Sequence, residues 1–292
     1  MDIILKLKEE LQVEKWQVEA AVSLIDEGNT IPFIARYRKE MTGSLNDEVL
    51  RDLHERLTYL RNLEEKKAQV LGSIEEQGKL TDELRERIEA AQTMVVVEDL
   101  YRPYRPKRKT RAGVAKEKGL EPLAEFILAQ ETTAPIEEEA AKYIHEDEDA
   151  AKAVKSAEEA LQGAKDIIAE RISDEADYRI YIRDVTMKEG KLVTAARDEK
   201  AESVYEMYYQ YEEPLGKVAG HRILAINRGE NEKFLTVRIE APEERILQFL
   251  RTKTIINDNH VTSPILEEVI ADSYDRLIAP AIEREIRNDL TE

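Results

Sequence analysis

Apolar residues recur along most of this chain three and four positions apart, the period of an α-helix that turns one face to a core. The longest seam runs through Leu50, Leu53, Leu57, Leu60 and Leu63 and continues at Val70, Leu71 and Ile74, with Asn46 as its N-cap and Gly78 as its stop. Ahead of it, Leu7 and Leu11 open a face that breaks near Gln12, resumes at Val18, Val22 and Ile25, and ends at Gly28, predicting two short helices. Thr81 caps a helix with Leu84, Ile88 and Ala91 inward, and Thr93 caps one carrying Val96, Val97 and Leu100. Further on, 111–118 reads as a short helix closed by Gly119, and Pro122 opens another that buries Leu123, Phe126 and Ile127. Val154, Ala157, Leu161, Ala164, Ile168 and Ile172 predict a long helix, 173–188 a second, and 242–250 a third. The last begins at Thr262 or Ser263 and is expected to kink at Pro280.

The period changes to two in KLVTA, 191–195, and in KFLTVRI, 233–239, which predicts a pair of short strands. Between them 203–211 reads as a tyrosine-rich helix, and 220–228 as a helix in preference to the arm of a hairpin. The expected fold class is therefore mainly α: a multi-helix bundle with a small two-stranded β element. It also holds a helix–turn–helix-like segment at 28–45, where Pro32 starts a turn with Ile31, Phe33 and Ile34 inside and Arg36, Arg38 and Lys39 outside. Three regions are expected: 1–130, an amino-terminal helical domain; 131–241, helical with the β element; and 242–292, a helical linker. No glycine or basic stop signal ends the last helix before Glu292, as though a further domain should follow.

Composition narrows the function. With 42% hydrophobic residues the chain of 292 can bury a core, and 11 glycines with 9 prolines favour helix. The absence of cysteine excludes disulfides, thiol nucleophiles and thiolate metal sites. No apolar run approaches the ~20 residues that span a bilayer. The amino terminus mixes acids into its apolar pattern, so it reads as an amphipathic helix rather than a signal peptide, and a cytoplasmic protein is expected. His54, His145, His221 and His260 lie in unrelated segments without metal-ligand spacing, and no phosphate loop, dinucleotide turn or serine elbow is present. Neither a metal, a cofactor nor an enzymatic activity is expected.

Charge supplies the one departure. Against 62 Asp and Glu there are 44 Lys and Arg, a formal charge of -18, so the surface as a whole repels nucleic acid. Yet between Tyr101 and Arg111 no acid occurs, while Arg102, Arg105, Lys107, Arg108, Lys109 and Arg111 are cationic. Pro103 and Pro106 predict that this strap is extended, with Tyr101 and Tyr104 as anchors. Two uses are open. With Arg36, Arg38 and Lys39 the strap can touch the phosphates of RNA or DNA, weakly, with steep salt dependence and without reading sequence. Alternatively the chain is a structural or protein-interaction module, with the strap packed on its own acids, most obviously those of 131–149, or on a partner in the transcription machinery.

GNTIPFIARYRKEMTGSL at 28–45 and EDLYRPYRPKRKTRAGVAKEKGLEPLAE at 98–125 resemble the amino-terminal region of the Tex family of transcription accessory proteins. SIEEQGKLTDELRERIEAA at 73–91 and EPLGKVAGHRILAINRGENE at 213–232 extend the resemblance over essentially the whole chain. It implies a cytoplasmic bacterial protein acting in transcription regulation, similar to a eukaryotic transcription elongation factor. It further implies that such proteins continue into an RNase H-like domain, helix–hairpin–helix repeats and an OB-fold that binds RNA. On that footing this chain is a non-enzymatic amino-terminal helical portion, expected to be a monomer.

Overall fold

Capping and apolar spacing place the helices of the first unit, Met1–Tyr104, in a computed structural model that describes residues 1–292. α1 (Ile3–Leu11) starts where the Asp2 carboxylate accepts from the Leu5 N–H at 3.2 Å, and stops where Gln12 turns left-handed at φ 54°. α2 (Lys15–Asp26) follows, then the short α3 (Ile31–Tyr37) and α4 (Lys39–Thr42), into which the helix–turn–helix-like segment resolves. Asn46 accepts from the Val49 N–H at 2.9 Å and launches α5 (Asp47–Glu76), followed by α6 (Asp82–Ala90) and α7 (Met94–Tyr101), each capped by the expected threonine.

The leucine seam of α5 is the spine of this unit. Leu50, Leu53, Leu60 and Leu63 are fully buried, as are Leu7 of α1, Val18 of α2 and Ile34 of α3, the three helices that pack on α5. Two surface clamps hold the outer helices to the spine. Arg56 donates to both oxygens of Glu10 at 2.7 Å, and Arg61 to Asp26 at 2.7 and 2.9 Å. Each arginine holds its partner's carboxyl below the ordinary carboxylate range. Lys67 is buried beneath α6 and donates to Glu64 at 3.0 Å and to the Glu89 carbonyl at 2.8 Å.

The second unit, Arg105–Glu292, is built round one helix. In order come α8 (Arg111–Glu117), α9 (Glu121–Ala129), α10 (Ile136–Ala141), α11 (Ala157–Asp174) and α12 (Ala176–Glu189). After β1 (Lys191–Ala196) and β2 (Gln210–Pro214) come α13 (Gly220–Asn231), β3 (Leu235–Glu240), α14 (Glu243–Thr254), α15 (Thr262–Asp272) and α16 (Ala279–Thr291). α11 buries Ala160, Ala164, Ile167, Ile168 and Ala169, and α8, α9, α10, α12 and α15 pack on it. Its alanines let neighbours approach. Gly163 goes further, since a Cβ there would meet Leu120 Cδ1 at 2.3 Å.

The fold is mainly α, as the periodicity predicts, but three expectations change in detail. The sheet has three antiparallel strands in the order β2-β1-β3, not two. The segment 203–211 is not a helix: a 3-10 turn at Glu206–Tyr208 is followed directly by β2. Its tyrosines are spent on anchoring. Tyr205 and Tyr208 enter the core, the Tyr209 hydroxyl donates to the Ala201 carbonyl at 2.6 Å, and Thr194 of β1 donates to the Tyr208 carbonyl. Val154 precedes α11 and pairs with His145 in a two-residue bridge, each N–H donating to the other's carbonyl at 3.0 Å. At Pro280, a π-helical turn over Ser273–Ile278 runs into α16, whose first turn tolerates the proline's missing donor.

Candidate nucleic-acid interface

The strap lies at the boundary between the two units, and each half belongs to its own. In the first unit it is not extended: Arg102–Tyr104 forms a 3-10 turn that continues α7, and Arg102 stays in the helical region despite the proline that follows it. Tyr101 is anchored as expected, its hydroxyl 2.9 Å from Ser73 Oγ, and Gln77 Nε2 donates to the Tyr104 carbonyl at 2.9 Å. Arg102 is half-buried and Arg105, the first residue of the second unit, is exposed, and both are engaged with other groups.

In the second unit 105–110 is irregular and ends where the Thr110 hydroxyl accepts from the Gly113 N–H at 3.0 Å, which makes Arg111 the first residue of α8. Lys107 is pinned. Its Nζ donates to Glu170 Oε1 at 3.0 Å and to Asp174, both on α11, leaving the side chain only 26% exposed. The acids that neutralise Lys107 are therefore on the central helix and not in 131–149. Those instead serve local turns: Glu139 pairs with Lys142 at 2.8 Å, and Asp147 and Asp149 each accept from the backbone two residues on.

Arg108, Lys109 and Arg111 contrast with Lys107: all are exposed and none takes part in an ion pair. Lys109 and Arg111 stand at the rim of an open groove of about 620 Å³ between α8 and α11. The far wall carries Glu158, Asp166 and Glu159, which pairs with Lys118 at 2.8 Å. Hydrogen bonds from Lys118 and from the Lys155 N–H hold the Glu159 carboxyl below its ordinary range. Glu158 and Asp166 on that wall disfavour an anion inside the groove.

In the first unit, Arg36, Arg38 and Lys39 are placed differently. The Arg36 guanidinium lies 5.5 Å from the Tyr37 ring centroid and that of Arg38 4.8 Å from Phe33, with Arg38 also donating to the Tyr37 carbonyl at 3.0 Å. Lys39 is exposed at the start of α4. Sequence reasoning missed two exposed apolar side chains on the elements packed with α3, Trp16 of α2 and Met41 of α4. A signal existed, because Trp16 stands two residues before Val18 and so off the buried face of α2.

Comparison with known proteins defines the class. The family model described as Tex-like protein N-terminal domain matches residues 1–75, and that described as Tex central region-like matches 131–292. This chain belongs to the Tex family. It is 48% identical to YdcI of Bacillus subtilis (strain 168) over 290 residues, 98% of this chain and 40% of that protein. It is 44% identical to the transcriptional accessory protein Tex of Neisseria gonorrhoeae over 243 residues, 82% of this chain and 31% of the other. A eukaryotic relative, human S1 RNA-binding domain-containing protein 1, is 29% identical over 305 residues, 99% of this chain and 30% of the human protein. The chain thus spans two fifths or less of the length of these curated relatives. No helix is long and apolar enough to cross a membrane.

Proposed function

We propose that this chain is a non-enzymatic helical part of a cytoplasmic transcription accessory protein, and that it touches RNA or DNA through phosphates at Arg108, Lys109 and Arg111. The observation that carries the reading is three exposed, unpaired cations on a backbone held at both sides, by Lys107 on α11 and by the Thr110 cap. Fixing the backbone in advance lowers the ordering cost of contact. The names of the gonococcal and human relatives, a transcriptional accessory protein and an RNA-binding-domain protein, support it. Nothing in this stretch is arranged to read base edges, so binding should ignore sequence.

With three phosphates engaged, the slope of log K against log salt should be about -2 to -3. Anisotropy titrations of labelled single- and double-stranded oligonucleotides across a salt series measure it. Charge reversal at Arg108, Lys109 and Arg111 together should abolish binding at low salt and leave the melting temperature unchanged. Equal binding by the reversed variant would show that the strap is not the contact.

A further inference from the structure

Three large apolar side chains stand in solvent on α2, α3 and α4 of the first unit: Trp16 is 53% exposed, Tyr37 59% and Met41 50%. α2, α3 and α4 pack on one another, so the three stand on neighbouring elements. Gln17 Nε2 donates to the Thr42 carbonyl at 3.0 Å, which staples the start of α2 to the end of α4. The Trp16 indole lies on Gly43, two residues beyond Met41, and needs the hydrogen there: a Cβ on Gly43 would meet Trp16 Cη2 at 2.6 Å. Tyr37 packs on Phe33 at 5.3 Å between centroids, and Arg36 and Arg38 lie over these two rings at 5.5 and 4.8 Å.

The occupant can be argued from this chemistry. Nucleobases stack on open aromatic faces. On Phe33 and Tyr37 guanidinium groups already occupy faces, and Met41 offers a flexible thioether that suits an aliphatic or aromatic side chain. Trp, Tyr, Met and Arg together are the residues enriched where proteins dock on proteins. Within 36–40 three cations stand against a single carboxylate, Glu40, so the α3–α4 side of the face is positive on an anionic molecule, while the α2 side carries Glu14 and the Lys15–Glu19 pair. We propose that this face docks an acidic peptide segment of a partner protein, with apolar side chains on Trp16, Tyr37 and Met41 and carboxylates on Arg36, Arg38 and Lys39. The surface is distinct in partner class from the strap, and neither reading depends on the other.

Trp16 is the only tryptophan, so its fluorescence reports on this face alone. A random-peptide phage library panned on the folded chain, with a Tyr37→Ser/Met41→Ser variant as counter-selection, should enrich peptides that place Asp or Glu beside Leu, Phe or Trp. Made synthetically, these should shift Trp16 emission to the blue and shield it from acrylamide. They should bind an Arg36→Glu/Arg38→Glu variant at least about tenfold more weakly, its melting temperature being unchanged. Enrichment of basic peptides, equal enrichment on the serine variant, or no enrichment would overturn the proposal. So would shielding of Trp16 by a single-stranded oligonucleotide, or by a second copy of the chain as protein concentration rises.

Discussion

Burial pushes the Tyr274 hydroxyl up to about 12, and the carboxylates of Glu243, Asp275 and Glu283 add to the shift. The side chain borders a small cavity of about 40 Å³ with Thr186, Ile239 and Ile282. Because the folded state binds this proton more tightly than the unfolded chain does, the associated stability is fully present below pH about 10, the ordinary tyrosine value, and is lost as pH rises towards 12. Urea midpoints should therefore fall through that alkaline window, and the difference between the protein and a Tyr274→Phe variant should shrink across it. A constant difference would mean that the hydroxyl is hydrated in the folded state. At the same scale Lys107 and Lys109, two residues apart and alike in sequence, part company: one is held by two carboxylates and the other is free to meet an anion. Composition treats them alike because it records charge and not the neighbour supplied by a helix more than sixty residues away.

Elements were legible wherever the signal was local. Asn46, Thr81 and Thr93 each cap the helix that follows them, as read, since a cap needs only a side-chain oxygen and the next turn, and Thr110, not singled out, caps α8 in the same way. β2 was not legible, because its five residues, QYEEP, set one strand-favouring tyrosine, Tyr211, among two glutamates and a proline, and only pairing with β1 recruits them into a sheet. The strap was half legible: its charge and anchors could be read, while the 3-10 turn of Arg102–Tyr104 depended on continuation of α7. Its pin on α11 is testable. Lys107→Met should lower the unfolding free energy of the chain by about 1 kcal/mol, as expected for a partly shielded ion pair, while preserving the salt slope of nucleic-acid binding. Loss of that slope with no loss of stability would make Lys107 a phosphate ligand instead.

For the whole molecule, a charge of -18 opposes compaction, and added salt screens it. Raising NaCl from about 20 mM to about 200 mM should therefore raise the melting temperature while weakening any phosphate contact through the strap. Calorimetry and anisotropy on the same samples give the two opposed trends. A melting temperature that fell with salt would place the ion pairs, and not self-repulsion, in control of stability. Both binding proposals rely on the same feature of scale: acids outnumber bases, 62 to 44, so a stretch in which cations prevail is locally distinct.

By itself the order of residues determined the helical class, most helix limits, the family and the list of cations, because each depends on neighbours within a few turns or on long strings of sequence. Which cations are neutralised, that a third strand joins the sheet, and that Trp16, Tyr37 and Met41 stay exposed on helices that pack together were decided only when distant segments met. An ion pair, a strand register and a surface patch are contacts across space, and their energy exists only once packing has brought the partners within reach.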